Sequence, residues 1–411
     1  VVGYGTQERK QITGSVTSVK SEDFVKGAIN DANSLIEGKV PGLTISNQGA
    51  DPNSSPQIRL RGVSSFGGNQ EPLVVIDGII GGNLNNVDPN DVESIEVLKD
   101  ASAASIYGTR GSAGVILVTT KKGSEQDGAS ISYNAYVTGD FIEKEQDVLS
   151  ADEFRQLGND LGKEVNDLGG NTDWIDEITQ TGLQNVHSLS ISGGDGSTNY
   201  RVSGNFRDVD GIQKNTGFQS INGRVNLTQK ALDDNLKLSF NITASDREED
   251  IGFGSAFRYA AAFNPTAPVR GADIPTDNDS FREDGFANTG GFTEIGTFDT
   301  FNPVSIIKTG ENFAERKNFN GSFRADYDFE KVIPGLSASV FYSLETINSL
   351  QNEFYRNTNK LRGNATTSSL GTGRGVQNTF DNSDELVETT VSYVADISDL
   401  NIDIITGYSW N

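Results

Sequence analysis

Past Gly123 the chain is dominated by long stretches in which apolar and polar residues alternate. Ile131, Tyr133, Ala135 and Val137 share one parity, against Ser132, Asn134 and Tyr136. Tyr200, Val202, Gly204 and Phe206 alternate with Arg201, Ser203, Asn205 and Arg207. Leu236, Leu238, Phe240, Ile242 and Ala244 alternate with Lys237, Ser239, Asn241, Thr243 and Ser245. Phe319, Phe323, Tyr327 and Phe329 oppose Arg324, Asp326 and Asp328, and the pattern returns in Leu336 to Leu344, Val387 to Ile397 and Ile402 to Trp410. Successive strand side chains point to opposite faces, so each stretch specifies a strand with one oily and one polar face. A sandwich satisfies that pattern too, but its strands average about 5–6 residues. These runs reach about ten, the length a tilted strand needs to cross a bilayer. No run of 18 apolar residues occurs, which excludes a transmembrane helix. The mean hydropathy of -0.42 does not exclude a membrane barrel, because alternating strands average towards neutral.

The connections alternate in length as well. Gly193 to Ser197, Lys230 to Asn235, Lys331 to Gly335 and Ser398 to Leu400 are tight, while Glu143 to Gln184, Asp246 to Arg316 and Asn348 to Asp384 are long. Short turns at one rim and long loops at the other mark an outer-membrane barrel; Asp210 to Gly217, a short outer connection, breaks the rule. Nine strands are expected. An open sheet would leave backbone N–H and C=O groups unpaired in lipid, and plugged barrels close with about 22 strands. The expectation is therefore an antiparallel transmembrane barrel, partial here, with the chain incomplete at its C-terminus.

The first third has another texture. Pro72 to Gly123 reads as a densely turned α+β unit: a strand at Leu73 to Ile76, a turn at Asp77-Gly78, a helix start at Asp88-Pro89, a strand at Ser94 to Leu98, a short helix from Ala101 to Tyr107 capped by Asp100 and ended by an αL Gly108, and a buried-type strand at Val115 to Thr120. Upstream, a helix is expected over Asn30 to Glu37, stopped by Gly38 and Pro41, with strands at Leu43 to Ser46 and Gln57 to Leu60. The Gly-rich Ser64 to Gln70 loop lacks the order of a phosphate cradle. Three regions result: an N-terminal segment 1–19, a compact unit 20–123, and the strands 124–411.

The wording ESIEVLKDASAASIYGTRGSAGVILVTTKKG, with Val1-Val2-Gly3-Tyr4-Gly5-Thr6-Gln7, Ile36-Glu37-Gly38-Lys39-Val40-Pro41-Gly42-Leu43 and Ile58-Arg59-Leu60-Arg61-Gly62, resembles the plug of TonB-dependent outer-membrane transporters, in particular the SusC/RagA branch. In the strand region, Asn171-Thr172-Asp173-Trp174 and Ser190-Ile191-Ser192-Gly193-Gly194 match best. The resemblance implies a plug inside a barrel of the outer membrane, in contact with its lipids. It implies a TonB-box-like segment at Val1, Val2, Gly3 and Tyr4, which would add a strand to periplasmic TonB. It implies a SusD-like surface lipoprotein as partner, and oligosaccharides or peptides as cargo. Arg59 and Arg61, two apart on one strand, and Glu93 and Glu96 are the residues it suggests for locking plug to barrel, with solvated surface charges as the plain alternative. Gly62, Gly78, Gly108, Gly111 and Gly114 are expected to serve tight turns and close packing.

Chemistry of other kinds finds little footing. The single histidine, His187, sits on an expected strand beside Leu189 and Ile191, poorly placed for a triad, which needs its base held in a pocket. Without cysteine and with one histidine, no zinc site and no cofactor are expected. Asp208-Val209-Asp210-Gly211 lacks the later ligands of a calcium loop and reads as a turn; Asp277-Asn278-Asp279 reads as a solvated tip. A net charge of -24 argues against a nucleic-acid partner, which needs clustered Lys and Arg. Phe253, Phe257, Tyr259, Phe263, Phe281, Phe286, Phe292 and Phe298 would suit either lid contact or sugar stacking, or a loop packed on its own aromatics. Two functions remain: energy-coupled import, or a plugged barrel acting as a docking subunit of a larger envelope assembly.

Overall fold

A computed structural model describes residues 16–411 except 28, 30, 47–50, 63–70, 83, 85–86, 100–104, 124–127, 272–291, 294–300, 360, 362–371 and 398–399. Val1 to Tyr4, the Ser64 to Gln70 loop, Asp100, Asp277 to Asp279, Phe281, Phe286 and Phe298 lie outside the described residues.

Two sheets carry the architecture. The first has five strands: β1 (Val16–Lys20), β4 (Leu73–Ile76), β5 (Ile79–Ile80), β6 (Val92–Leu98) and β7 (Val115–Thr120), in the order β1-β6-β7-β4-β5. β4 runs parallel to β7 and the other pairs are antiparallel. A two-stranded ribbon, β2 (Leu43–Ser46) and β3 (Gln57–Leu60), packs beside it. Ile36, Val92, Ile95, Val97 and Ile116 are almost fully buried in one core. Val75, Leu98, Val115 and Leu117 form a second core on the other face. β7 is buried on both faces, which is why its sequence VILVTT is continuously apolar rather than alternating.

The second sheet is a nine-stranded antiparallel meander, β8 (Gly128–Asp140), β9 (Gly182–Gly194), β10 (Thr198–Asp210), β11 (Gly217–Ala231), β12 (Leu236–Asp250), β13 (Gly310–Asp328), β14 (Leu336–Tyr355), β15 (Arg374–Ile397) and β16 (Leu400–Trp410). Among the described residues β8 and β16 each keep one unpaired edge. Register aligns the oily parity across strands: Ile131 faces Ile191, then Val202, Val225, Ile242, Gly321 and Leu344 follow in one row. These side chains stay exposed, Ile131 at 71% and Val137 at 72%, as a lipid-facing surface requires. The opposite parity of β9 to β11 is covered by the first sheet.

Several expectations change. The helix over Asn30 to Glu37 is replaced, among its described residues, by turns and one 3-10 segment, Ser34–Ile36. The Asp31 carboxylate accepts from the Ser34 N–H at 3.0 Å and its hydroxyl at 2.9 Å, and this local turn competes with the helix ladder. The helix over Ala101 to Tyr107 becomes 3-10 turns over Ser105–Gly111, broken at Gly108, whose φ of 61° comes with ψ of -148° rather than the αL value. The segment expected to be irregular up to residue 19 ends inside β1, which gains order by pairing with β6. The strands also run far past the oily stretches: β13, β14 and β15 have 19, 20 and 24 residues, although about ten suffice to cross the hydrocarbon. Their polar ends, Asn348 to Tyr355 for example, pair as ladder because the neighbour strand continues, not because of their propensity.

The long connections fold onto one another. α1 (Ala151–Asp160), α2 (Trp174–Ile178), α3 (Ser255–Ala262) and α4 (Pro303–Thr309) stand above the rim. Ser150 and Glu153 form a capping box at the start of α1. Trp174, Ile178, Ala256, Phe263, Phe292 and Ile307 bury a core of their own. Trp174 meets Phe263 edge-on at 4.9 Å and donates its Nε1–H to the Asn264 carbonyl at 2.9 Å. Phe253 lies 5.7 Å from Tyr355, and Tyr259 lies 5.2 Å from Phe301. The described aromatics of this loop therefore pack largely on the loop and on one another.

Candidate functional site

The first sheet sits on the polar face of β10 and β11, and the contact is built from charge. Asp88 ends the chain's approach to β6. Its Oδ1 accepts from the Asn90 N–H at 2.8 Å, capping the turn Pro89–Asp91, while its Oδ2 accepts from Arg207 Nε at 2.7 Å. Arg207 also donates to the Ile29 carbonyl at 2.8 Å. Both side chains are buried, 0% and 3% exposed. Asp91, three residues on, accepts from Arg201 at 3.0 Å and from the Ser203 hydroxyl and Asn205 amide at 2.9 Å each. Arg201, Ser203, Asn205 and Arg207 are spaced by two on β10, so a single strand face presents a ladder of donors. Asp77 completes the set from the turn after β4. It accepts from the Thr120 N–H at 3.0 Å, the Thr120 hydroxyl at 2.7 Å and Arg224 of β11 at 2.9 Å.

The polarity is uniform: carboxylates on the plug-like sheet, guanidinium groups on the wall. Lys121, where the sheet gives way to the wall, donates to the Asn90 carbonyl at 2.8 Å. Burial and the neighbouring Arg201 push its ammonium below the usual lysine range, with Asp91 and Asp88 pulling the other way. At the outer rim Asn53 donates to the Gly217 and Asp250 carbonyls at 2.9 and 2.8 Å and accepts from Arg247 at 3.1 Å, while Asp51 accepts from the Gly252 N–H at 2.7 Å.

The residues expected to lock the plug fall elsewhere. Arg59 is exposed on β3 and donates to Gln57. Arg61 lies past the end of β3 with φ of 57°, so it no longer continues the parity of Arg59, and its N–H donates to the Gly42 carbonyl at 2.8 Å. Glu93 is exposed on β6 and Glu96 half-buried there, opposite Ser18 and Leu117. Sequence reading missed Asp77, Asp88 and Asp91. The available signal was the polar parity of β10: two arginines, a serine and an asparagine on the face that turns away from lipid need buried acceptors opposite them.

Gly62, Gly78, Gly108 and Gly114 have positive φ, and Gly111 ends the 3-10 turns with its carbonyl accepting from the Gly114 N–H at 2.9 Å. Gly114 is the tightest: a Cβ would meet Leu60 Cδ2 and lie 3.1 Å from the Leu98 carbonyl. His187 lies on the outward face of β9, its Nδ1 2.6 Å from the Tyr133 hydroxyl. Asp208 and Asp210 end β10, and Gly211 closes the turn by donating to the Thr216 carbonyl at 2.8 Å.

Comparison with known proteins agrees with this arrangement. Residues 8–115 match the TonB-dependent Receptor Plug Domain family. The chain is 35% identical over 350 residues to the TonB-dependent receptor SusC of Bacteroides thetaiotaomicron, covering 80% of this chain and 35% of that protein. It is 34% identical over 372 residues to the TonB-dependent receptor P26 of Formosa agariphila, covering 86% of this chain and 35% of that one. Among solved structures, a chain of the RagAB peptide importer in its open-open state superposes with a TM-score of 0.75 at 21% identity, over 100% of this chain and 48% of that chain. The siderophore receptor PirA of Acinetobacter baumannii follows at 0.56 and 16%, over 98% and 48%. The chain spans about a third of the length of these curated relatives. It belongs to the SusC/RagA-type TonB-dependent receptors, of which it carries the plug and the first part of the barrel.

Proposed function

We propose that this chain is the plug and leading wall of an outer-membrane importer that admits oligosaccharides or peptides when TonB pulls on Val1, Val2, Gly3 and Tyr4, with a SusD-like surface lipoprotein over its outer loops. The seat carries the reading. A plug that only had to block the lumen would be held by apolar packing. This one meets the wall through Asp77, Asp88 and Asp91 against Arg224, Arg207 and Arg201. Burying such pairs costs about as much hydration as their attraction returns. Parting them into a wet lumen gives that hydration back, so the seat sets position without making departure prohibitive. Arg59, Arg61, Glu93 and Glu96 are proposed as secondary plug charges on the same footing. The relatives' names, a SusC receptor and a RagAB peptide importer, support both the cargo class and the lipoprotein partner.

The test is purification of the full-length protein from outer membranes, identification of its companions by mass spectrometry, and uptake assays in cells with and without TonB. A SusD-like lipoprotein and TonB-dependent uptake are expected. Companions drawn only from a secretion or motility assembly, with no uptake, would replace import by the docking role.

A further inference from the structure

We infer that the plug is hinged on β10 and β11, and that a path for polar solute opens between its β4–β5 hairpin and strands β12 to β14. The inference rests on the import reading above and adds a direction to it.

The two sides of the plug are held differently. Among the described residues every plug–wall ion pair ends on β10 or β11, at Arg201, Arg207 and Arg224. The rim latch of Asn53 reaches the outer ends of β11 and β12. Past Arg224 the character changes. A cavity of about 20 Å³, room for one water, separates Ile79 and Gly82 of the plug from Asn241, Thr243 and Asn320 of β12 and β13. Beyond it, Gly78 rests on the Phe341 ring of β14, where a Cβ would lie 3.6 Å from the ring edge. Aliphatic side chains there face amides and hydroxyls that prefer water, so neither surface satisfies the other. The hairpin is the weakest part of its sheet. β5 is an edge strand joined to β4 by two residue pairs, Val75 with Ile80 and Ile76 with Ile79.

The barrier to parting is therefore unequal. Opening the β10–β11 side wets three buried charge pairs at once, and each passes through a state with its partners separated in low dielectric. Opening the other side wets a gap that already has space for water and uncovers Asn241, Thr243 and Asn320. A pulled plug should swing on Arg201, Arg207 and Arg224 and leave from β12 to β14. The uncovered lining, amide and hydroxyl, suits a solute rich in the same groups.

The chain contains no cysteine, which makes single thiols clean reporters. In the full-length protein freed of any other thiol, Thr243→Cys reports the cavity side and Ser203→Cys the seat side. Cells are exposed to a membrane-impermeant fluorescent maleimide, energised or treated with an uncoupler. Energisation is expected to raise labelling at position 243 by about tenfold and at position 203 by less than about twofold, as a population shift confined to one side requires. An equal or larger energised rise at position 203 overturns the hinge and leaves import standing. Energy-independent labelling at both positions overturns the import reading and the hinge with it. Asn320→Cys reports the same face should Thr243→Cys fail to assemble.

Discussion

The molecule uses the same ion-pair chemistry twice, with opposite consequences. In the seat, Arg207 and Asp88 are 3% and 0% exposed and bonded at 2.7 Å. In the outer loops, Arg155 and Asp167 are bonded at 2.8 Å but 29% and 41% exposed. Arg155 also reaches the Gly170 carbonyl at 2.7 Å and lies 3.2 Å from Asp152. Solvent screens the outer clasp, so such pairs add little to stability; the apolar cluster around Trp174 holds those loops instead. In the seat, burial makes each charge depend on its partner. Attraction there decides where the plug sits, whereas the loop cap is held by packing and only trimmed by charge.

That contrast can be broken by substitution. Asp88→Asn leaves Arg207 buried without its counter-charge and removes a turn cap, so a loss of about 3–5 kcal/mol is expected. Thermal melts of the full-length protein and hydrogen exchange over β6 and β7 would read it. The double variant Asp88→Asn with Arg207→Leu should recover part of the loss, and no recovery would mean that the pair is not the cause. Trp174→Ala opens a cavity in the cap core and removes a hydrogen bond, at a cost of about 3–5 kcal/mol to that region. Exchange should rise over α2 and α3 while β6 and β7 stay protected; faster exchange in the plug would show that the two regions are one cooperative unit. Gly114→Ala forces a side chain into φ of 96° and against Leu60. A loss of about 1–3 kcal/mol from the plug is expected, read by the same melts.

The smallest effect is predicted for the outer clasp. The Arg155 guanidinium, joined by the Gly169 N–H, holds the Asp167 carboxyl below the usual aspartate range. With the folded pKa below the unfolded one, the clasp contributes fully above the ordinary value of about 3.9 and is lost as pH falls through the lower folded value. Exchange between residues 161 and 170 should thus stay unchanged from neutral pH to about pH 4 and rise only below it. Arg155→Ala should give the acid behaviour at neutral pH without moving the main melt.

Much of this was legible beforehand. The strands Leu43–Ser46, Gln57–Leu60, Leu73–Ile76 and Val115–Thr120 fall where their β-branched runs and flanking turns indicate. The nine wall strands follow from period-two alternation, because one face meets lipid and the other does not. Helix propensity failed near Asp31 and Gly108, where side-chain turns and a broken 3-10 run took over. Strand length failed above the membrane, where no oily face is needed and alternation fades, as in Arg374 to Asp384 of β15. The seat was half legible. The donors of β10 were visible as a polar stripe, but their acceptors were not, since Asp77, Asp88 and Asp91 look like ordinary turn and cap residues.

By itself the sequence determined which face of each long strand is oily, where the plug strands lie, and that Asp88 and Pro89 start a turn, because these follow from local geometry and side-chain chemistry. Only the tertiary structure decided that the same Asp88 also receives Arg207, that Asp91 receives Arg201, and that every described ion pair between plug and wall gathers on two neighbouring strands. The partners are more than a hundred residues apart in the chain. No local rule brings them together; the register of β10 and β11 against a sheet folded elsewhere does.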